Sequence, residues 1–209
     1  MARQETPYHQ IRALYDDDSI TVYQAYNSQI AEEAVRQQSL RVPGWSCERM
    51  TWIKPSWTWM MYRSGFSYKD ANQSHILAIR MTHENFESIL AQSSISHSNF
   101  TGQKAPVRVQ WDPERTPSTR GKLPYRSIQI GIGRSVAEKW ADEMILSIED
   151  VTETARRMHQ DVEAGMAPEE LAKMYIHERV YEIKNEEVRR IIRLDAVAGD
   201  AGEGPSTDA

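Results

Sequence analysis

Val107-Arg-Val-Gln-Trp111, stopped by Asp112-Pro113, and Tyr125-Arg-Ser-Ile-Gln-Ile-Gly-Ile132 are the stretches whose reading decides the fold class. In the first, Val107, Val109 and Trp111 alternate with Arg108 and Gln110; in the second, Ile128, Ile130 and Ile132 face one way. Strand side chains point alternately to opposite faces, so both segments read as half-buried strands. Residues 113–124 between them hold three prolines and a glycine, the composition of an exposed loop.

Upstream, Ser19-Ile-Thr-Val-Tyr-Gln-Ala-Tyr26 is rich in β-branched and aromatic residues and reads as a strand after the turn Asp16-Asp17-Asp18. Asn27 is placed to cap a helix over Ser28–Gln38 with the apolar stripe Ile30, Ala31, Ala34 and Val35. A second strand runs through Arg49–Ile53. Pro55 then suits the first turn of a helix over Ser56–Arg63, which is apolar nearly all round and so should be buried. His75–Met81 is a third strand, and Thr82 caps a short helix. Ser135-Val-Ala-Glu138 reads as a capping box opening a helix through Trp140, and Glu143–Ile148 as the last strand. A helix to about Glu163 and a long one from Pro168 to about Leu194 close the pattern. About six strands interspersed with short helices, several joined by connections too short for a parallel crossover, predict an α+β fold. Its sheet should be mixed and largely antiparallel, with a C-terminal helical region.

The 209 residues suit one domain, expected over residues 11–194, after a flexible arm over 1–10. Residues 195–209 are rich in Gly, Ala and acidic residues without a basic or aromatic one, which predicts a disordered tail. The net charge of −5 argues against a domain-wide duplex-binding surface. A single cysteine, Cys47, excludes an internal disulfide framework. No apolar run approaches the length of a membrane span, and Met1–Gln10 is polar, so a cytoplasmic or nuclear location is expected, with no membrane partner.

P-loop, G-x-S-x-G and H-E-x-x-H signatures are absent, and the six histidines are scattered singly, so no metal site is expected. Gly131-Ile-Gly133-Arg134-Ser135 follows a strand and precedes a helix, where backbone N–H groups can hold a phosphate; a helix cap explains the same residues more simply. Lys54, Arg63 and Arg49 flank the aromatic helix. They read as a nucleotide cradle, or more plainly as cations reaching solvent beside a buried helix. Glu143, beside Asp142, can polarise a ribose hydroxyl if it faces a cleft, and is otherwise a solvated charge.

Arg12–Tyr15 through Val22-Tyr-Gln-Ala-Tyr26, Met50–Ser56, Trp59–Gly65, Val107–Arg115 and Leu123–Gly131 resemble the family catalogued as domain of unknown function 4291. That family name implies no activity. The order of elements is also similar to ADP-ribosyltransferase folds. This second resemblance implies NAD as substrate, with the first-strand position at Tyr23-Gln24, a second at Ser56 or Tyr62, and the glutamate at Glu143. Gln24 stands where His or Arg is usual. On this reading Gln24, Ser56 and Glu143 are the candidate catalytic residues. Tyr23, Trp52 and Tyr62 line the cleft, and Arg12 or Lys54 takes the pyrophosphate. An NAD-using transferase or glycohydrolase is the leading expectation. Its rivals are an RNA-binding or RNA-processing protein using Arg63, Arg108, Arg115, Arg120 and Arg126, and a non-enzymatic module presenting the long C-terminal helix.

Overall fold

A computed structural model describes residues 7–95 and 105–197. In chain order the elements are β1 (Arg12–Ala13), β2 (Ser19–Tyr26), α1 (Ser28–Gln37), β3 (Thr51–Ile53), α2 (Trp57–Ser64), β4 (His75–Thr82), α3 (His83–Ala91), β5 (Ser93–Ile95), β6 (Val107–Arg115), β7 (Lys122–Ile132), α4 (Arg134–Glu143), β8 (Ser147–Asp150), α5 (Thr152–Glu163), α6 (Pro168–Tyr175), β9 (Arg179–Val180) and α7 (Glu186–Ile191). The fold is α+β. Two sheets, β2-β4-β8 and β3-β7-β6-β5, are antiparallel except for the β5–β6 pair. They join edge to edge where Tyr23 and Lys54 exchange backbone hydrogen bonds of 2.7 and 3.1 Å. The strand order across this seam is therefore β8-β4-β2-β3-β7-β6-β5.

Alternation sorts the side chains of this sheet onto two cores. Ile20 and Val22 of β2, Leu77 and Ile79 of β4, Ile53 of β3 and Ile128, Ile130 and Ile132 of β7 form one face. α1, α3, α4 and α7 cover it through Ala31, Phe86, Trp140 and Val188 among others. Tyr23 and Ile76 point to the opposite face, where α2, α5 and α6 contribute Trp57, Met60, Met61, Met158 and Leu171. Nearly every apolar residue of α2 is buried, as its all-round apolarity predicts.

The exposed loop expected over residues 113–124 shrinks to 116–121, because β6 runs on through Arg115, with Glu114 and Arg115 buried, and β7 starts at Lys122. Three further sequence expectations change. First, Glu143 lies in the last turn of α4 and not on a strand; the final strand begins at Ser147. Val136, Ala137, Trp140, Ala141 and Met144 are buried at spacings of three and four, and that stripe carries the helix through Glu143. Second, the cap of α4 is Gly133, not Ser135. The chain turns early because Gly133 N–H bonds the Pro106 carbonyl at 2.8 Å, an approach so close that a Cβ there would lie 2.6 Å from that oxygen. Third, the long helix from Pro168 breaks at Ile176. Beyond it β9 pairs with β1, Tyr181 and Ile183 bury their side chains with a period of two, and only a short α7 follows. Of the proposed N-terminal arm, residues 1–6 lie outside the described residues, while His9 and Gln10 are buried and His9 stacks on Trp111 at 4.3 Å. Of the proposed tail, residues 198–209 lie outside them.

Candidate functional site

Tyr23 and Lys54 sit directly opposite each other at the seam, so their side chains share a face. Gln24, the next residue, points to the other face. Its side chain is 3% exposed; Nε2 donates to Thr51 Oγ1 at 2.6 Å, and Oε1 is buried with no partner among the described residues. Thr51 also meets the Tyr26 hydroxyl, which accepts from Trp45 Nε1. Gln24 therefore belongs to a buried network behind the sheet, and Tyr23 and Gln24 cannot line one cleft.

Tyr23 borders a cleft of about 380 Å³, walled by Trp57, Tyr15, Tyr175 and His177 and floored by Thr21 and Glu149. The Trp57 ring meets the Tyr23 ring edge-on at 5.2 Å. Register explains the floor: Tyr23 pairs with Ala78, and Ala78 with Glu149, so Tyr23 and Glu149 lie two strands apart on one face. Burial, followed by the charges of Glu178 and Glu149, pushes the Tyr23 hydroxyl well above its ordinary range.

The head of α2 forms the next wall. Ser56, fully buried, caps the helix by accepting from Trp59 N–H at 3.1 Å. A Glu178 carboxylate oxygen accepts the free N–H of Trp57, a favourable place for an acidic group at a helix N-terminus. Glu114, 1% exposed, accepts from Thr58 Oγ1 at 2.9 Å and from Arg115 N–H at 2.8 Å, and its second oxygen is buried with no partner among the described residues. Desolvation, then the neighbouring Glu114, raises the Glu178 carboxyl well above the usual carboxylate range; the Trp57 N–H and Arg12 oppose this. Arg12 donates to Gln10 Oε1 and stands 5.8 Å from the Tyr125 ring centre.

On the other side of the seam, Lys54 is buried with its ammonium 3.4 Å from the Trp52 carbonyl. Burial, then the charge of Arg63, lowers its pKa to about 7, with Asp112 opposing. Trp52 lies across Gly131, where a Cβ would come within 2.9 Å of its ring. Tyr62 stacks on Trp59 with ring centres 5.2 Å apart, and the Arg115 guanidinium sits against both, 3.5 Å from the Tyr62 ring centre and 5.6 Å from that of Trp59.

Of the residues expected from sequence, the structure brings Tyr23 into the cleft and sets Lys54 beside it. Arg12 joins the Glu178 cluster. Trp52 and Tyr62 are engaged elsewhere, Ser56 is a helix cap, and Glu143 is exposed at the end of α4. Glu149, Glu178, Glu114 and Asp112 were missed. Glu149 was legible in principle, since Ser147-Ile-Glu-Asp150 alternates; Glu178 reaches Trp57 across 121 residues and left no local signal. The suggested phosphate loop has Arg134 paired to Glu48 at 2.8 Å. The arginines proposed for RNA do not form one exposed strip, because Arg115 is buried and Arg120 pairs with Glu163. Among the described residues no helix is long and apolar enough to cross a membrane.

A family model described as "Domain of unknown function (DUF4291)" matches residues 10–181. The chain belongs to this family. The DUF4291 match takes in the Tyr23 cleft, the head of α2 and Glu178, and ends at Tyr181 beside β9. No curated protein matches the chain.

Proposed function

We propose that the chain is an NAD-using enzyme, transferring ADP-ribose or hydrolysing NAD, with Glu149 in the role the sequence assigned to Glu143. The observation that carries this reading is the cleft that Tyr23 borders: aromatic walls from Tyr23, Trp57 and Tyr175 around the carboxyl group of Glu149, with Glu178, bonded to the Trp57 N–H, near enough for its charge to act on Tyr23. Breaking the bond between nicotinamide and ribose leaves positive charge on the sugar, and a carboxylate set in advance against that charge lowers the barrier. Glu149 supplies such a carboxylate from the third residue of the late strand β8, where the ADP-ribosyltransferase resemblance calls for a glutamate at the opening of a late strand. Glu178, whose raised carboxyl favours the neutral form, is suited to donate a hydrogen bond to a ribose hydroxyl. The aromatic rings give the nicotinamide and ribose an apolar, water-poor wall.

The test is nicotinamide release from NAD, followed by chromatography, together with a thermal melt at millimolar NAD. Glu149→Gln should lower turnover by about 100-fold with little change in NAD binding. A wild-type protein that neither releases nicotinamide nor melts higher with NAD refutes the reading.

A further inference from the structure

On the face shared with Tyr23, but across the seam, two cations stand near one carboxylate. Ile53 pairs with Ile130, which sets Lys54 beside Gln129, the residue that holds Asp112. α2, tied to β6 by the Thr58–Glu114 bond, brings the charge of Arg63 onto both Lys54 and Asp112. A third cation, Arg126, acts on Asp112 from the opposite face, in phase with Ile128 and Ile130. The ammonium of Lys54, the residue after β3, donates to the Trp52 carbonyl at 3.4 Å. Arg63, in the last turn of α2, makes no hydrogen bond or ion pair with any described residue, although its charge acts on both Lys54 and Asp112. Arg126 of β7 spends its guanidinium on two neutral oxygens, Tyr8 Oη at 2.6 Å and the Trp111 carbonyl at 3.0 Å. Asp112 of β6 is the carboxylate whose charge reaches all three, and it is already held by Gln129 Nε2 at 2.6 Å. Among the described residues neither Lys54 nor Arg63 has an acidic oxygen within ion-pair distance.

Buried cations are costly unless an anion or a set of acceptors answers them. Here one partly buried carboxylate answers two positive groups on this face, and burial beside Arg63 lowers the proton affinity of Lys54. We propose that Lys54, Arg63 and Asp112 form an anion site that takes a phosphate-class oxyanion, with Lys54 and Arg63 as its ligands and Asp112 orienting them. A tetrahedral oxyanion presents several acceptors at once, which matches an ammonium with three donors beside a forked guanidinium. Half-exposed Arg63 and Trp52 leave the site open to solvent from one side. The site goes beyond the NAD reading, since it stands whether the oxyanion is free or belongs to a nucleotide.

The probes are sulfate, which does not titrate near neutrality, and inorganic pyrophosphate, each compared with chloride at equal ionic strength in thermal melts and calorimetric titrations. Both should bind wild type. Arg63→Gln, which removes a side chain that holds nothing else in place, should weaken binding at least about tenfold. The charged form of Lys54 is the one that binds. Sulfate affinity should therefore fall about tenfold or more between pH 6.5 and 8.5 in wild type and stay level in Lys54→Arg, whose charge does not titrate there. The charged groups that act on Lys54 are Arg63 and Asp112. No binding above chloride, full binding in Arg63→Gln, or a wild-type affinity level with pH would each overturn the site. Competition by NAD assigns it to a nucleotide diphosphate. Indifference to NAD, with sulfate and pyrophosphate still bound, assigns it to a free anion, so the NAD reading and the anion site fail separately.

Discussion

Replacing Lys54 by methionine should stabilise the protein, and the gain should shrink as the pH rises. Lys54 is 8% exposed, and burial with the adjacent Arg63 lowers its pKa from 10.5 to about 7. Between those two values the unfolded chain carries a proton that the folded chain has released. The unfolded state binds more protons there, so wild-type stability rises with pH through the window and the penalty is greatest below pH 7. Each pH unit inside it carries about 1.4 kcal/mol, so the wild type should gain about 2–3 kcal/mol relative to Lys54→Met between pH 6 and pH 9. Methionine keeps the apolar stem and has no charge to bury. The raised hydroxyls of Tyr23 and Tyr26 act only above this range and are common to both proteins, as is the lowered imidazole of His9. Urea denaturation of both proteins at pH 6, 7, 8 and 9 reads the difference. Stability curves that run parallel over that range would refute the buried, desolvated lysine.

Glu178→Gln keeps an acceptor for the Trp57 N–H and removes a carboxyl whose proton affinity is raised in the fold. The native carboxyl contributes fully below its ordinary range and loses that contribution as the pH rises through its folded pKa, so the variant's melting temperature should gain on wild type from pH 5 to pH 8. Ser56→Ala removes the cap bond to Trp59 N–H inside a buried turn and should cost about 1–2 kcal/mol in chemical denaturation; no measurable loss would remove Ser56 from the capping role. Phe86→Ala empties a fully buried site against Tyr181 and should cost about 3–5 kcal/mol, read by the same method, with a cost under about 1 kcal/mol arguing against that packing.

The pieces of the fold that depend on neighbours along the chain were legible. The alternation in Val107–Trp111 and Tyr125–Ile132 is the pairing of β6 with β7, and the all-apolar run after Pro55 is a buried helix. Asn27 and Thr82 cap α1 and α3 as their side chains suggested. The errors fell where two periods overlap. Met144 completes a helical stripe yet also begins an apolar run that looks like a strand, so Glu143 was placed on the wrong element. Tyr181 and Ile183 carry a strand-like period inside a stretch whose composition suits a helix.

Local sequence thus determined which segments become strands and helices, because alternation, caps and prolines act over a few residues. Tertiary structure alone decided which of them meet. The seam between Tyr23 and Lys54 turns adjacent residues Tyr23 and Gln24 to opposite faces, one into a cleft and one into the hydrogen-bond network with Thr51. Glu178 arrives at the head of α2 from 121 residues away, and Arg63 comes to rest beside Lys54 only because α2 folds back over the sheet. Proton affinities and open space depend on such distant neighbours, through burial and unscreened charge, and no local pattern in the chain encodes them.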